Sequence, residues 1–148
     1  MSSENVELAR RIAEQMTHDD FVAALEDEEG FAARAAAFEP LVHPDFEVAM
    51  LGPEWLAQRL AYKGIDGYVQ AWREWLEPYE SYRAELEEYV DAGDNVVLLV
   101  RQFARTEVGS VAVEEEGAVV FAFEDGKLKR LEFHLDRERA MKAAGVAE

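Results

Sequence analysis

The sequence predicts an α+β domain in which N-terminal helices pack on a curved antiparallel sheet, forming a cone with a central pocket. Three observations predict this class. Apolar residues in the first third recur at helical spacing, the second half alternates with the period of strands, and small turn-forming residues separate its strand-like segments. The chain has 148 residues without an internal repeat or linker, so we expect a single domain over residues 1–148.

The first third predicts three short helices, or two with a kink. The first helix carries apolar residues at helical spacing: Val6, Leu8, Ala9, Ile12, Ala13 and Met16. After a break, Asp19 or Asp20 can cap a second helix. A third is expected from Phe31 through Phe38, because Pro40 cannot continue it.

A strand and an aromatic helix are predicted next. Over Asp45–Met50, apolar side chains alternate with the others, which is the pattern of a half-buried strand. The residues from Gly52 to Gly67 are predicted to form a loop. The helix that follows ends at Pro78 and carries large apolar residues along one side: Tyr68, Val69, Trp72, Trp75 and Leu76.

The second half predicts a four-stranded antiparallel meander. Its strand-like segments are Tyr82–Val90, Val96–Val108, Val111–Phe123 and Leu128–Leu135. The connections are rich in glycine, aspartate, asparagine and serine, which tight hairpin turns require. A closing helix is predicted to begin after Asp136 and to end at Gly145.

The composition excludes several classes of function. The chain has 32 Asp and Glu against 15 Lys and Arg, a formal net charge of −17, so its average surface repels nucleic acid and anionic membranes. It has no cysteine, which removes disulfides and thiolate chemistry. With no long apolar run and no signal-peptide pattern, the sequence predicts a soluble cytoplasmic protein without nucleic-acid or membrane partners.

Three stretches resemble the SnoaL-like and ketosteroid-isomerase-like members of the nuclear-transport-factor-two-like superfamily, as found in many bacterial proteins. They are Tyr62–Gly67 leading into the aromatic helix, Tyr89–Val97, and the ending Glu132–Arg137. The resemblance covers the chain from about Phe38 onward. It implies a conical pocket, a homodimer formed through the sheet, and possible isomerase, cyclase or hydratase chemistry.

The chain departs from two catalytic patterns of that superfamily. In ketosteroid isomerases an Asp base follows the first strand, and Met50 occupies that position here. In limonene-epoxide hydrolases an Arg and an Asp lie two residues apart on a central strand, and Arg101 matches the Arg whereas Phe103 stands in place of the Asp. No secure match exists for the Asp that related polyketide cyclases place on a late strand.

Arg101 is the first candidate for chemistry. It interrupts an apolar run and shares a strand face with Val97, Leu99, Phe103 and Arg105. If it points inward, it orients a ligand oxygen or pairs with a carboxylate such as Glu132. If it points outward, it belongs to the outer sheet surface or a dimer interface, and the sequence leaves both positions open.

Glu132 and two histidines complete the predicted catalytic set. Glu132 and His134 lie two residues apart on the last strand, so they share a face, and a carboxylate beside an imidazole suits acid–base catalysis. The residues that alternate with them are apolar, which favours packing of that other face on the helices and an outward-facing pair. His43 precedes Asp45 and either moves a proton at the pocket mouth or hydrogen-bonds a turn. The histidine spacing predicts no metal site, and no motif calls for a cofactor.

Aromatic and apolar residues supply the predicted ligand-binding set, which consists of Trp55, Tyr62, Tyr68, Trp72, Phe103, Phe121 and Met50. The same rings equally suit packing of the helix on the sheet. The hypothesis is therefore a small-molecule binding protein or enzyme whose apolar pocket takes a hydrophobic, carbonyl-bearing or polycyclic ligand. The alternative is a non-catalytic dimeric module with a closed pocket.

Overall fold

The computed structural model describes residues 2–51 and 60–145. The helices are α1 Ser2–Met16, α2 Phe21–Glu26, α3 Glu28–Ala36, α4 Gly64–Trp75 and α5 Arg137–Ala144. The strands are β1 Val42–Leu51, β2 Leu60–Lys63, β3 Tyr79–Ala92, β4 Asn95–Thr106, β5 Ala112–Glu124 and β6 Lys127–His134. Within these residues no helix has the length and apolar character needed to cross a membrane.

Aspartate side chains cap the N-termini of α2, α3 and α5. Asp20 accepts a hydrogen bond from the backbone N–H of Val22 at 3.0 Å, as the sequence predicts for α2. Asp27 caps α3, so that helix begins at Glu28, ahead of the predicted start at Phe31. Asp136 caps α5 in the same way, and Gly145 ends it with a φ of +83°.

Six strands form one curved sheet in the order β2-β1-β6-β5-β4-β3. Strands β3 to β6 form the predicted antiparallel meander, whereas β1 joins β6 in parallel. Strand β2 was predicted as loop. It is a strand because its four residues pair with Glu47–Met50 of β1, and so short an edge strand has no alternation for a sequence to reveal.

The β5–β6 hairpin shows the local chemistry that the sequence predicts. Asp125 and Gly126 have φ angles of +55° and +75°. Two successive positive φ angles define the type I′ turn, whose twist matches that of the paired strands. This turn fixes the register of β5 on β6, and with it the residues that face the helices.

The two faces of the sheet have different coverings. The inner face packs against α1–α4 through the main core, which includes Val48, Phe121 and Leu131, each at most 1% exposed. The outer face is covered in part by α5, whose small residues Ala140 and Ala144 pack against the sheet. A cavity remains on the inner face, where the large side chains do not fill the concave surface.

Candidate functional site

A cavity of about 60 Å³ lies between the helices α1, α2 and α4 and the inner face of the sheet. Its walls are mostly apolar because alternate residues of each strand point to this face. The apolar lining residues include Ala13, Met16, Phe21, Met50, Trp72, Trp75, Leu86, Leu98, Val100, Val119, Phe121 and Phe133. No carboxylate lines it among the residues that the structure describes.

Tyr82 and Gln102 form the polar end of the cavity. Both are buried, and the Tyr82 hydroxyl donates a hydrogen bond to Gln102 Oε1. Burial raises the pKa of the Tyr82 phenol, an effect that the Trp75 indole opposes, so the phenol stays protonated at neutral pH. With Oε1 occupied, the Gln102 Nε2 amide is the donor that this pair offers to the cavity.

Gly117 makes the position of Gln102 possible. It pairs with Val100 on β4 and faces inward. A Cβ at this glycine would lie 2.4 Å from Gln102 Nε2 and 3.1 Å from the carbonyl oxygen of His134. A glycine inside a strand often marks such a close approach, and this signal in the sequence identifies the site that the predicted set omitted.

Glu115 is a carboxylate on the inner face of β5. It is the register partner of Gln102, and its charge contributes to the raised pKa of Tyr79 and Tyr82, after burial. Glu114, Glu115 and Glu116 are consecutive residues of one strand, so strand alternation divides them between the two faces, and only Glu115 shares the face of the cavity.

Three of the predicted ligand-binding residues, Met50, Trp72 and Phe121, line the cavity together. Burial raises the pKa of Tyr68, and the neighbouring Trp72 indole opposes that rise. Even so, Trp72 Nε1 is buried and makes no hydrogen bond of normal geometry with a described residue. Trp55 lies outside the described residues.

The other predicted ligand-binding residues lie away from the cavity. Tyr68 packs between the rings of Phe31 and Phe38 in the core. The Tyr62 hydroxyl donates to Glu74 Oε1 on α4 at 2.8 Å. Phe103 is on the outer face, as the parity of its strand requires. Tyr62 and Tyr68 therefore belong to the packing of the helices on the sheet, whereas the guanidinium of Arg83 lies over the ring of Phe103, 4.1 Å from the ring centroid.

Arg101 lies on the outer face of the sheet. Its guanidinium pairs with Glu87 at 3.3 Å, Glu114 at 3.3 Å and Glu116 at 3.2 Å. These carboxylates raise the pKa of Arg101, with the Glu87 hydrogen bond as the largest cause. The sequence left open that the Arg101 side chain points inward and pairs with Glu132. The strand register instead places this side chain on the face opposite the cavity.

Glu132 and His134 also face outward, which is the second of the two arrangements open from the sequence. His134 Nε2 lies 2.9 Å from Glu132 Oε1, and Arg130 donates from Nε to Glu132 Oε2 at 2.6 Å and also pairs with Glu47. These contacts, the His134 hydrogen bond first, lower the pKa of Glu132 to about 2 against the effect of burial. His134 also borders the cavity, and its carbonyl oxygen lies close to Gly117.

His43 lies beside Glu124, the last residue of β5. Its Nδ1 accepts the backbone N–H of Asp45 at 3.0 Å, and its Nε2 lies 3.4 Å from Glu124 Oε2. With Asp125, these side chains form the group of potential metal ligands that the described residues contain. A neutral imidazole that accepts at Nδ1 carries its proton on Nε2, so it points an N–H at Glu124 rather than a lone pair at an ion.

A family model described as a SnoaL-like domain matches residues 18–131. The chain belongs to the SnoaL-like domain family. The match of this SnoaL-like chain includes α2 to α4 and β1 to β5, and therefore most of the cavity wall. The resemblance stated from the sequence is confirmed, and so is the predicted α+β fold with N-terminal helices on a curved sheet.

Solved structures of three proteins show the same fold as this SnoaL-like chain. A "putative SnoaL-like polyketide cyclase" from Jannaschia sp. has a TM-score of 0.64 and 17% identity, covering 99% of this chain and 94% of its own. An NTF2-like protein of unknown function from Burkholderia pseudomallei has a TM-score of 0.58, 17% identity and coverages of 94% and 95%. TerC, co-crystallised with polyporic acid, has a TM-score of 0.55, 20% identity and coverages of 83% and 95%. No curated protein sequence matches the chain significantly.

Proposed function

We propose that this SnoaL-like chain binds a small hydrophobic molecule in its inner cavity, with one ligand oxygen accepting a hydrogen bond from Gln102 Nε2. The Gln102 amide carries the proposal, because it lines the cavity and its Oε1 already accepts from the Tyr82 hydroxyl. A ligand carbonyl that accepts from Nε2 adds a hydrogen bond worth about 0.5–1.5 kcal/mol. The surrounding apolar wall supplies the remaining binding energy through burial of the ligand's hydrocarbon surface.

The size of the cavity narrows the ligand class. Drug-sized ligands occupy cavities of about 300–1,000 Å³, whereas this cavity measures about 60 Å³. A cavity that takes benzene alone measures about 150 Å³, so even a single aromatic ring with a carbonyl group requires movement of flexible side chains such as Met16 and Met50. A polycyclic ligand would require a still larger rearrangement.

The placement of the candidate charged residues supports binding rather than catalysis. Arg101, Glu132 and His134 lie on the outer face, and His43 lies beside the last residue of β5. The polyketide cyclase description of one structural neighbour still makes acid–base isomerase, cyclase or hydratase chemistry on a carbonyl compound the reaction class to assay. Such a reaction would need an acid or base other than these four.

The small volume also favours a second candidate function, a non-catalytic module whose cavity stays closed. The family resemblance implies a homodimer through the outer face of the sheet, and such a module would use that face to bind a partner copy. Light scattering on the eluted protein measures the mass directly. A dimer that binds no small molecule supports this second function, whereas a ligand-binding monomer excludes it.

Calorimetric titration with two ligands that differ in one oxygen tests the proposed function. Acetophenone has the carbonyl acceptor, and ethylbenzene has nearly the same shape without it. We expect acetophenone to bind about tenfold more tightly, the ratio that one hydrogen bond of about 1.4 kcal/mol produces. Equal affinities, or the absence of binding by both, would contradict the proposal.

Two variants complete the test. Gln102→Leu removes the amide and is expected to abolish the preference for acetophenone. Gln70→Leu is the matched control, because Gln70 is exposed on α4 and bonds only to Glu74 in the described chain. A control that loses the preference as well would show that the effect does not arise in the cavity.

A further inference from the structure

The acidic run of β5 is divided between the two faces of the sheet. Glu114 and Glu116 point outward and share the guanidinium of Arg101. Glu115 points inward and is exposed, and within the described chain it makes no ion pair or hydrogen bond. Because neighbouring carboxylates have a cation and this one has none, Glu115 is the inner-face charge available to a ligand.

The surroundings of Glu115 suit a cation. Its register partner Gln102 is buried at 9% exposure, lines the cavity and directs a polar amide into it. Tyr82 donates its hydroxyl hydrogen bond to Gln102, and its ring centroid lies 6.0 Å from that of Tyr79 at an angle of 45°. After burial, the charge of Glu115 contributes to the raised pKa of both phenols. Neutral aromatic faces attract ammonium groups, and a carboxylate beside them adds a charge-assisted hydrogen bond.

We infer that Glu115, with the rings of Tyr79 and Tyr82, receives the protonated amine of a ligand whose aromatic body occupies the inner cavity. This inference rests on the proposed function and makes it more specific, since it names an arylalkylamine carrying a hydrogen-bond acceptor as the ligand class. The net charge of −17 acts in the same direction, because it raises the concentration of cations near the surface.

Three probes with one apolar body and different head groups test the inference. They are 2-phenylethylamine, 2-phenylethanol and phenylacetate, which present a cation, a neutral hydroxyl and an anion. Titration at low and high salt is expected to rank the amine first and phenylacetate last. The amine should bind about tenfold more tightly than the alcohol at low salt, and the ratio should fall as salt screens the partly exposed pair.

The variants Glu115→Gln and Glu114→Gln form a matched pair. Each removes one negative charge from adjacent positions of β5, but only the first removes it from the inner face. We expect Glu115→Gln to equalise the amine and the alcohol, and Glu114→Gln to keep their tenfold ratio. Equal losses in both variants would assign the preference to net charge and overturn the inference.

The outcomes separate this inference from the proposed function. If acetophenone binds with its Gln102-dependent preference while amine and alcohol bind equally, the cavity binds ligands and the role of Glu115 is rejected. If no probe and no ketone binds, both are rejected. If the amine preference depends on Glu115 and acetophenone also binds, the rim and the cavity act as one site.

Discussion

The inner and outer faces of the sheet belong to the same strands but present different side chains, apolar on one and largely charged on the other. On the inner face, apolar side chains pack against four helices and leave a small cavity with one buried polar pair, Tyr82 and Gln102. On the outer face, arginine and glutamate side chains neutralise one another around Arg101 and Arg130. The charged residues that suggested chemistry in the sequence pair with their own neighbours, whereas the polar pair at the cavity, Tyr82 and Gln102, was absent from the predicted set.

The largest expected effect follows from removing inner-face volume. Phe121 is 1% exposed and stacks on Phe123, so Phe121→Ala leaves a void in the core. We expect the free energy of unfolding to fall by about 3–5 kcal/mol in urea titration. The exposed Val111→Ala provides the control and is expected to change little. A loss below about 1 kcal/mol for Phe121→Ala would show that the inner face is not the principal core.

The outer face is expected to govern the response to acid. The pKa of Glu132 is about 2 in the folded chain and therefore lower than in the unfolded chain, so folding favours its ionised form. Its contribution, on the order of 3 kcal/mol, is present above about pH 5 and is lost as the pH falls through about 2. Unfolding measured between pH 7 and 2 is expected to show this fall, and Glu132→Gln should reduce it.

Glu85→Gln serves as the control for this acid response. Glu85 pairs only with Arg83 among the described residues, and both side chains are about half exposed. Such a pair contributes little to stability, so the variant should retain the acid response of the parent chain. An unchanged response in Glu132→Gln would assign the fall to other carboxylates.

Gly117 allows a sharper test of the boundary between cavity and core. A Cβ there would lie 2.4 Å from Gln102 Nε2, so Gly117→Ala forces the amide to move. We expect a stability loss of about 1–3 kcal/mol and loss of the preference for acetophenone. The double variant Gly117→Ala with Gln102→Ala gives the added methyl room and should recover part of the stability. If the single variant keeps the ketone preference, Gln102 does not contact the ligand oxygen.

The smallest effect is expected at Arg101. Its side chain is one-third exposed and pairs with carboxylates in solvent, so Arg101→Met should shift the midpoint of thermal unfolding by no more than about 2 °C. Calorimetric titration should find the affinity for acetophenone unchanged, because the guanidinium lies on the other side of the sheet. Weakened binding would show that Arg101 takes part in ligand binding.

Local features of the sequence predicted most of the elements correctly. Caps, helix ends and tight turns depend on residues a few positions apart. Asp136 and Gly145 bound α5 as predicted, Asp20 is one of the two caps predicted for α2, and Asp125 with Gly126 forms one of the predicted hairpin turns. Strand β2 was missed because it forms through its pairing with β1, and its own four residues are too few to show an alternating pattern. Three residues of the cavity wall, Met50, Trp72 and Phe121, were predicted from their size and apolar character.

The sequence by itself determined the fold class, the family and which residues share a strand face. Alternation groups Arg101 with Phe103, Glu132 with His134, and Glu115 apart from its neighbours. Only the tertiary structure decided which of these faces is inner, because that depends on the side of the sheet against which distant helices pack. It also decided the site at Gln102. The amide of that residue bonds to Tyr82 and occupies the space that a side chain at Gly117 would fill, and these residues come together only in the folded sheet.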